Sequence, residues 1–275
     1  MSAAPPEGPS PRPAATIVLM READTPPFEV LLLRRHARSG FAASAWVFPG
    51  GVVDAADADL DDALWSGIDP EVLAGRFDLP AADVLALHVA AVRETFEEAG
   101  VLLAHRRDGE PVDVTAAPFV EVRRTLNDRT VDESDRAVDW PAFLREQDLV
   151  LDLGAVTYLS RWITPVQEPR RYDTSFFVAR MPAGVTAAAD NVEMTESRWL
   201  TPRQALDDDG TQVIFPTEKT LELLAGFESP DAVVAHATAQ EVVDVIQPHI
   251  LVRDDGSYEA IVLPDDPRHP DGAAR

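Results

Sequence analysis

Residues 93–101 read RETFEEAGV, and this stretch constrains the chain more than any other. Its carboxylates Glu94, Glu97 and Glu98 stand at i, i+3 and i+4, so on a helix they share one side. Carboxylates held this close repel one another unless a cation stands among them. Hard oxygen donors at that spacing suit Mg²⁺ or Mn²⁺. The helix that carries them is legible in the residues just before. Pro80 and Asp83 supply its start, and Gly100 its left-handed C-terminal cap. Val84, His88, Ala91, Val92, Thr95 and Ala99 recur at helical spacing and form a mostly apolar stripe. The carboxylates lie off that stripe and are expected on the face turned away from the core. A charge run alone is most often a solvated helix face, and it takes a second motif to read it otherwise.

That motif is Trp46-Val47-Phe48-Pro49-Gly50-Gly51, an aromatic strand entering a tight turn that lets backbone approach a ligand closely. Together the two segments resemble the signature of the Nudix hydrolase family, G-x5-E-x7-R-E-U-x-E-E-x-G-U, where U is a bulky apolar residue. Gly51 takes the first position, and Arg93, Glu94, Glu97, Glu98, Gly100 and Val101 match the second half. Asp57 stands where the family has glutamate, and Thr95 takes the place of the first bulky apolar residue. The spacing departs further. Counted from Gly51, an unbroken signature puts its arginine at position 65, whereas the arginine is at 93, a 28-residue insertion. The insert spans roughly 58–84 and holds Leu60, Leu64, Trp65, Val72, Leu73 and Phe77, enough for one or two short helices. Closure entropy grows only logarithmically with loop length, so Gly51 and Arg93 remain neighbours. A box split in this way is similar to the animal peroxisomal coenzyme A diphosphatases and their bacterial relatives.

The resemblance implies an α/β/α sandwich around a mixed β-sheet, with a helical insert inside the box. It implies metal-dependent hydrolysis of a diphosphate linkage in a nucleoside diphosphate derivative, with coenzyme A or acyl-coenzyme A as leading substrate. ADP-ribose or an NADH-type compound is the alternative within that class. A non-catalytic Nudix-fold binding or regulatory module is the alternative outside it. By resemblance, Glu94, Glu97 and Glu98 hold Mg²⁺ or Mn²⁺, with Glu94 and Glu98 as the inner ligands. Gly51 gives a backbone ligand or a close phosphate approach. Arg93 orients a carboxylate, expected to be Glu97, and Asp57 supports the arginine or the helix start. The general base comes from a loop outside the helix, with Glu193 preferred over Glu196. Arg34 and Arg35 end the run Leu31–Arg35, and Arg171 lies in a loop flanked by Pro165 and Pro169. All three are candidate phosphate ligands, since a guanidinium fork matches phosphate oxygens; for Arg34 and Arg35 a solvated strand end is the plain alternative. Phe215-Pro216-Thr217 opens a helix, read first as a simple helix start and second as an N-terminus that could face an anion. The expected partner is a small nucleotide-derived molecule. Family habit suggests a homodimer, with Trp65 and Phe77 either at that contact or in a local apolar cap.

Composition narrows the remaining classes. The 275 residues carry 48 acidic against 24 basic side chains, a formal charge of −24. Non-specific nucleic-acid binding needs a basic surface, so it is excluded as the main activity. A phosphorylated small molecule is still compatible, because a local cation opposes the global field. Cysteine is absent, which removes disulfides and thiolate chemistry. The six histidines show no ligand spacing, and His88 is expected at the edge of the helix stripe. No apolar run has membrane length and no signal-peptide pattern is present, so the expectation is a cytoplasmic protein. Residues 1–13 read as a disordered lead, 14–245 as the hydrolase domain and 246–275 as a C-terminal hairpin and tail. Asp254-Asp255-Gly256 is the expected hairpin turn. A strand is expected over Val101–Ala104 and a helix over Asp231–Val243.

Overall fold

The computed structural model describes residues 8–23, 27–39, 42–110, 112–127, 138–243 and 245–271. Strand β1 (Arg12–Arg21) is its spine. Ala15, Ile17 and Leu19 enter one apolar cluster, while Val18 and Met20 enter another. A strand buried on both sides has to lie between two layers. Two antiparallel strands flank β1 on one side, β2 (Glu29–Arg35) and β4 (Gly50–Val52), and β3 (Trp46–Val47) pairs with β2. The insert contributes β5 (Trp65–Ser66), which joins β6 (Ala104–Arg106) and β7 (Leu149–Asp152) in a separate three-stranded sheet. On the other flank of β1, β8 (Thr157–Ile163) pairs with β9 (Tyr172–Arg180), and β9 runs parallel to β1. The main sheet is completed by β10 (Met194–Leu200) beside β2 and β11 (Val245–Ile246) beside β8. Its order is β10-β2-β1-β9-β8-β11, with β3 and β4 alongside. A separate hairpin, β12 (His249–Val252) and β13 (Tyr258–Val262), follows.

Helices cover both faces. One layer holds α1 (Pro70–Phe77), α2 (Ala81–Ala99), α3 (Ala117–Leu126) and α4 (Trp140–Glu146), whose apolar residues share a cluster with Ile17 and Leu19. The other layer holds α5 (Pro202–Asp207), α6 (Phe215–Leu224) and α7 (Pro230–Ala239), packed on Val18, Met20, Val30 and Leu32. This is the expected mixed-sheet α/β/α sandwich. Among the described residues, no helix is long and apolar enough to cross a membrane.

The insert docks into the core through its one α-helix. Asp69 caps α1 by accepting from the Glu71 and Val72 amides, and Pro70 stands where no amide is needed. At the far end Phe77 stacks on Tyr158, with ring centroids 3.7 Å apart, and also packs against His88. Phe77 is buried within its own chain, so it fits the local cap and not a dimer contact.

Four local expectations change. Helix α2 has no solvated side: from Val84 to Ala99 every residue is buried except Glu94, which is half-buried. The insert, α3 and α4 cover the face expected to be wet. His88 therefore lies in the core, between Phe77 and Phe177, and burial pushes its pKa down to about 4. Strand pairing begins at Ala104, because Gly100 turns the chain at φ 67° and Val101–Leu103 fill the core first. Helix α7 stops at Ala239, and Val243 is instead drawn into the first cluster, its amide on the Arg76 carbonyl. β1 starts at Arg12, inside the stretch read as a lead.

Candidate active site

Arg93 is the hub at the end of α2. Its Nε donates to Asp57 Oδ1 at 3.0 Å and its Nη2 to Oδ2 at 2.9 Å, a two-pronged pair. Its Nη1 donates to Glu94 Oε1 and to Glu97 Oε1, each at 2.9 Å. Nη2 also reaches the Val52 carbonyl at 3.1 Å. Burial opposes the guanidinium charge, but Glu94, Asp57 and Glu97 outweigh it and hold Arg93 protonated. Asp57 thus meets the arginine and not the start of α2. It stands in a 3₁₀ turn over Ala55–Asp59, at the front edge of the insert, and its Oδ2 also accepts from the Asp54 amide. A short side chain suits a turn packed this close to the guanidinium.

The two halves of the box touch at β4. A Cβ placed on Gly51 would lie 2.4–2.6 Å from the Glu94 carboxyl atoms, so glycine there lets that carboxyl sit against the strand and any side chain would displace it. The close approach is thus made by Glu94. The Gly50 amide donates to Glu98 Oε2 at 2.9 Å. Burial raises the pKa of all three carboxyls. Glu94 reaches about 8, with Arg93 opposing the shift and Glu97 and Asp57 adding to it. Glu98 rises well above the carboxylate range through burial and the Glu94 charge, against the Gly50 amide. Glu97 rises through burial, with Arg93 holding it back. The end of α2 is tied from behind as well. Arg123 of α3 donates to the Glu97 and Glu98 carbonyls at 2.9 Å each, and Asn127 donates to the Glu97 carbonyl. These two residues satisfy orphan carbonyls of the helix terminus, and nothing in the linear pattern marks them.

Whether the residues fit a divalent ion follows from these partners. Among the described residues no three acidic or imidazole groups are already gathered as a cage. Glu94 and Glu97 each accept from Arg93 at 2.9 Å, which leaves Glu98, one helical turn from Glu94, on the Gly50 amide as the least compensated of the three. Two buried carboxyls with raised pKa values are oxygen donors that gain from a divalent cation, so the donor set fits.

A cavity of about 830 Å³ opens onto this end of α2, within the range of small-molecule sites. Gly50, Gly51, Asp54, Glu94, Glu97 and Glu98 line one part of it. Trp140, Trp162, Phe176, Phe215, Ile250 and Ile261 line another. Arg35 lines it too, and its buried Nε has no hydrogen-bond partner. Arg34 alternates to the other side of β2 and reaches Glu196 Oε2 at 3.6 Å, outside the cavity lining. Arg171 does not line the cavity either. Its Nε is spent on the Thr164 carbonyl at 3.1 Å and its Nη1 on the Pro9 carbonyl at 2.9 Å, tying the start of the chain to the β8–β9 loop. Glu193 lines the cavity, with its own amide on Asp190 and its carbonyl accepting from the His36 amide. Glu196 pairs with Arg198 at 2.9 Å instead. The start of α6, Phe215 to Thr217, also faces the cavity. The aromatic and isoleucine wall was invisible in the sequence, because its members come from separate elements that share no spacing.

A mixed sheet sandwiched by helices, with a carboxylate-bearing helix end against a Gly-Gly strand, is the Nudix hydrolase arrangement. The sequence model of the NUDT19 Nudix domain matches residues 74–216. An acyl-coenzyme A diphosphatase NUDT19 of Gallus gallus is 33% identical over 219 residues, 68% of this chain and 58% of its own length. The Homo sapiens protein of the same name is 32% identical over 241 residues, 71% of this chain and 63% of its own. A crystal structure of a NUDIX hydrolase from Alicyclobacillus acidocaldarius superposes with a TM-score of 0.65 at 26% identity, over 82% of this chain and 96% of that one. The chain belongs to the Nudix hydrolase family, in its NUDT19 Nudix-domain group. It spans a little over half the length of the curated NUDT19 relatives.

Proposed function

We propose that this chain is a divalent-metal-dependent diphosphatase acting on coenzyme A or its acyl derivatives. One observation carries the reading: the carboxylates of α2 line the same cavity of about 830 Å³ as a set of aromatic and isoleucine side chains. A diphosphate joined to a long, partly apolar arm matches both parts, and the similar proteins named acyl-coenzyme A diphosphatase add weight. Glu94 and Glu98 would hold the ion, with Glu97 joining them or staying with Arg93. Mg²⁺ or Mn²⁺ is the proposed metal, and when bound it offsets charge on the phosphate oxygens and activates water. Arg93 acts as an orienting residue that keeps Glu97 and Glu94 in place, and not as a base. Arg35 meets the diphosphate through its guanidinium. Glu193 takes the proton from the attacking water. The water oxygen bonds to one phosphorus and the bridging P–O bond breaks, releasing a phosphopantetheine and adenosine 3′,5′-bisphosphate.

The test is release of adenosine 3′,5′-bisphosphate from coenzyme A and acyl-coenzyme A at millimolar Mg²⁺ or Mn²⁺, with ADP-ribose and NADH in the same panel. Turnover of coenzyme A derivatives that disappears with chelator and in Glu98→Gln is the expected result. Turnover of ADP-ribose or NADH alone moves the substrate to that class. No turnover of any member ends the enzyme reading in favour of a binding module. A cytoplasmic location belongs to the same proposal and is checked by cell fractionation.

A further inference from the structure

We infer that the C-terminal hairpin is the acyl-recognition wall of the cavity, and that Ile250 and Ile261 set the preference for acylated over free coenzyme A. This rests on the coenzyme A reading above. Ile250 and Ile261 are direct cross-strand partners in β12 and β13, so their side chains lie together on one face of the hairpin. Both line the cavity, with Pro248 beside them. The hairpin pairs with no strand of the main sheet, so it forms part of the cavity wall without extending the sheet.

Strand registers place β11, after which the hairpin begins, far from the carboxylates. Val52 of β4 pairs with Ala14, Ala14 with Thr174, Thr174 with Trp162 and Trp162 with Ile246. Four strand spacings of about 4.8 Å put β4 and β11 roughly 19 Å apart across the sheet. The carboxylate end touches β4, and the hairpin begins three residues after β11. A substrate with its diphosphate at Glu94 and Glu98 therefore reaches the isoleucines only with the far end of a long arm. In coenzyme A derivatives that end carries the thiol or the acyl group.

The hairpin is held as a wall and not as a loose tail. Gln167 of the β8–β9 loop donates to the Ile250 carbonyl at 3.3 Å and lies 2.9 Å from His249 Nδ1. His269 Nε2 lies 3.0 Å from the Gln247 carbonyl, and its ring packs edge-on against His249. Val262 is buried, while Ile250 and Ile261 are only half-buried. The hairpin also lies wholly beyond the residues matched by the family's sequence model. Its contribution is then a property of this chain's C-terminal segment.

The readout is the ratio of kcat/KM for a medium-chain acyl-coenzyme A to that for free coenzyme A, compared between wild type and variants. The ratio cancels the active fraction, so partial unfolding does not imitate the effect. Ile250→Ala and Ile261→Ala should each lower the ratio about tenfold, the scale of one lost apolar contact in a pocket. Ile250→Trp is the second variant: it fills the wall, and the loss should steepen with acyl length. An unchanged ratio in all three variants, or a wild-type ratio of one at every chain length, overturns the inference while leaving the diphosphatase reading intact. Absence of turnover with both coenzyme A and acyl-coenzyme A overturns that underlying reading instead.

Discussion

Replacing Arg93 by lysine keeps the charge and removes the fork. Arg93 makes five hydrogen bonds, four of them to carboxylate oxygens of Asp57, Glu94 and Glu97. A lysine ammonium has three donors on one atom, so at least two of these bonds are lost. Bonds to charged groups contribute about 1.5–3 kcal/mol each, which gives roughly 3–6 kcal/mol gross. Part is recovered, because a carboxyl left without its partner takes up a proton. A net loss of about 3 kcal/mol is expected at pH 8, comparable with breaking a buried ion pair. Against a typical total of about 5–15 kcal/mol this leaves a folded protein. Urea unfolding measures it: the midpoint should fall with the slope unchanged. Turnover should drop at least about a hundredfold, since Glu97 and Glu94 lose their positions. A destabilisation below about 1 kcal/mol at unchanged slope would refute the claim that this network holds the two halves of the box together.

Gly51→Ala should leave the backbone intact but push the Glu94 carboxyl aside, lowering kcat about a hundredfold and the unfolding free energy by about 1–3 kcal/mol; near wild-type kcat means Glu94 has no fixed role. Stability without metal should fall as pH rises. The Glu94 carboxyl moves from its ordinary 4.5 to about 8, so between those values the folded chain holds more protons than the unfolded one. Glu97 and Glu98 shift in the same direction. Urea midpoints from pH 7 to 8.5, above the range in which His88 titrates in either state, should decline with chelator and flatten with Mg²⁺; a rise with pH in chelator over that range contradicts the burial argument. Arg35→Ala should raise KM at least tenfold, whereas Arg34→Ala should not, because only Arg35 lines the cavity; equal effects would remove that distinction. Arg171→Ala should lower the melting temperature with little change in KM, since its guanidinium binds backbone at Thr164 and Pro9; a large KM effect returns it to the substrate site.

The elements that were legible in the sequence are those whose signal is local. Helix α2 announces itself by periodicity and by Gly100, and α1 only as a short helix expected somewhere among the apolar residues of the insert. The hairpin turn at Asp254–Gly256 is a local signal too. The Asp57–Arg93 pair was legible only through a resemblance, because the 35 residues between them are structured and carry no shared period. What periodicity misread was the wet face of α2. A helical stripe says which residues face the nearest layer; it says nothing about a second layer formed by an insert and two later helices. Arg34 and Arg35 show the same limit. Neighbouring residues on a strand point to opposite sides, so the sequence names both and only the sheet decides which one meets the cavity.

Burying three carboxyls at the C-terminal end of a helix is costly twice over. Desolvation disfavours their charge, and the negative end of the helix dipole adds to it. The chain offsets the second cost through Arg123 and Asn127, which take the terminal carbonyls. It offsets the first only in part. Arg93 is divided among Asp57, Glu97 and Glu94, and Glu98 has one amide and the more distant Arg35 charge. A fold with no use for these charges would relax by replacing Glu94 or Glu98 with an apolar residue, since an apolar substitute for a buried ionic group is often neutral or stabilising. Asp57, Gly50 and Gly51 are all committed to holding the charged arrangement instead. The least compensated carboxyl is therefore Glu98, with Glu94 sharing Arg93 one turn away, at the point where the cavity meets α2. In the proposed reaction, a cation held there would complete the electrostatics that the protein alone leaves open.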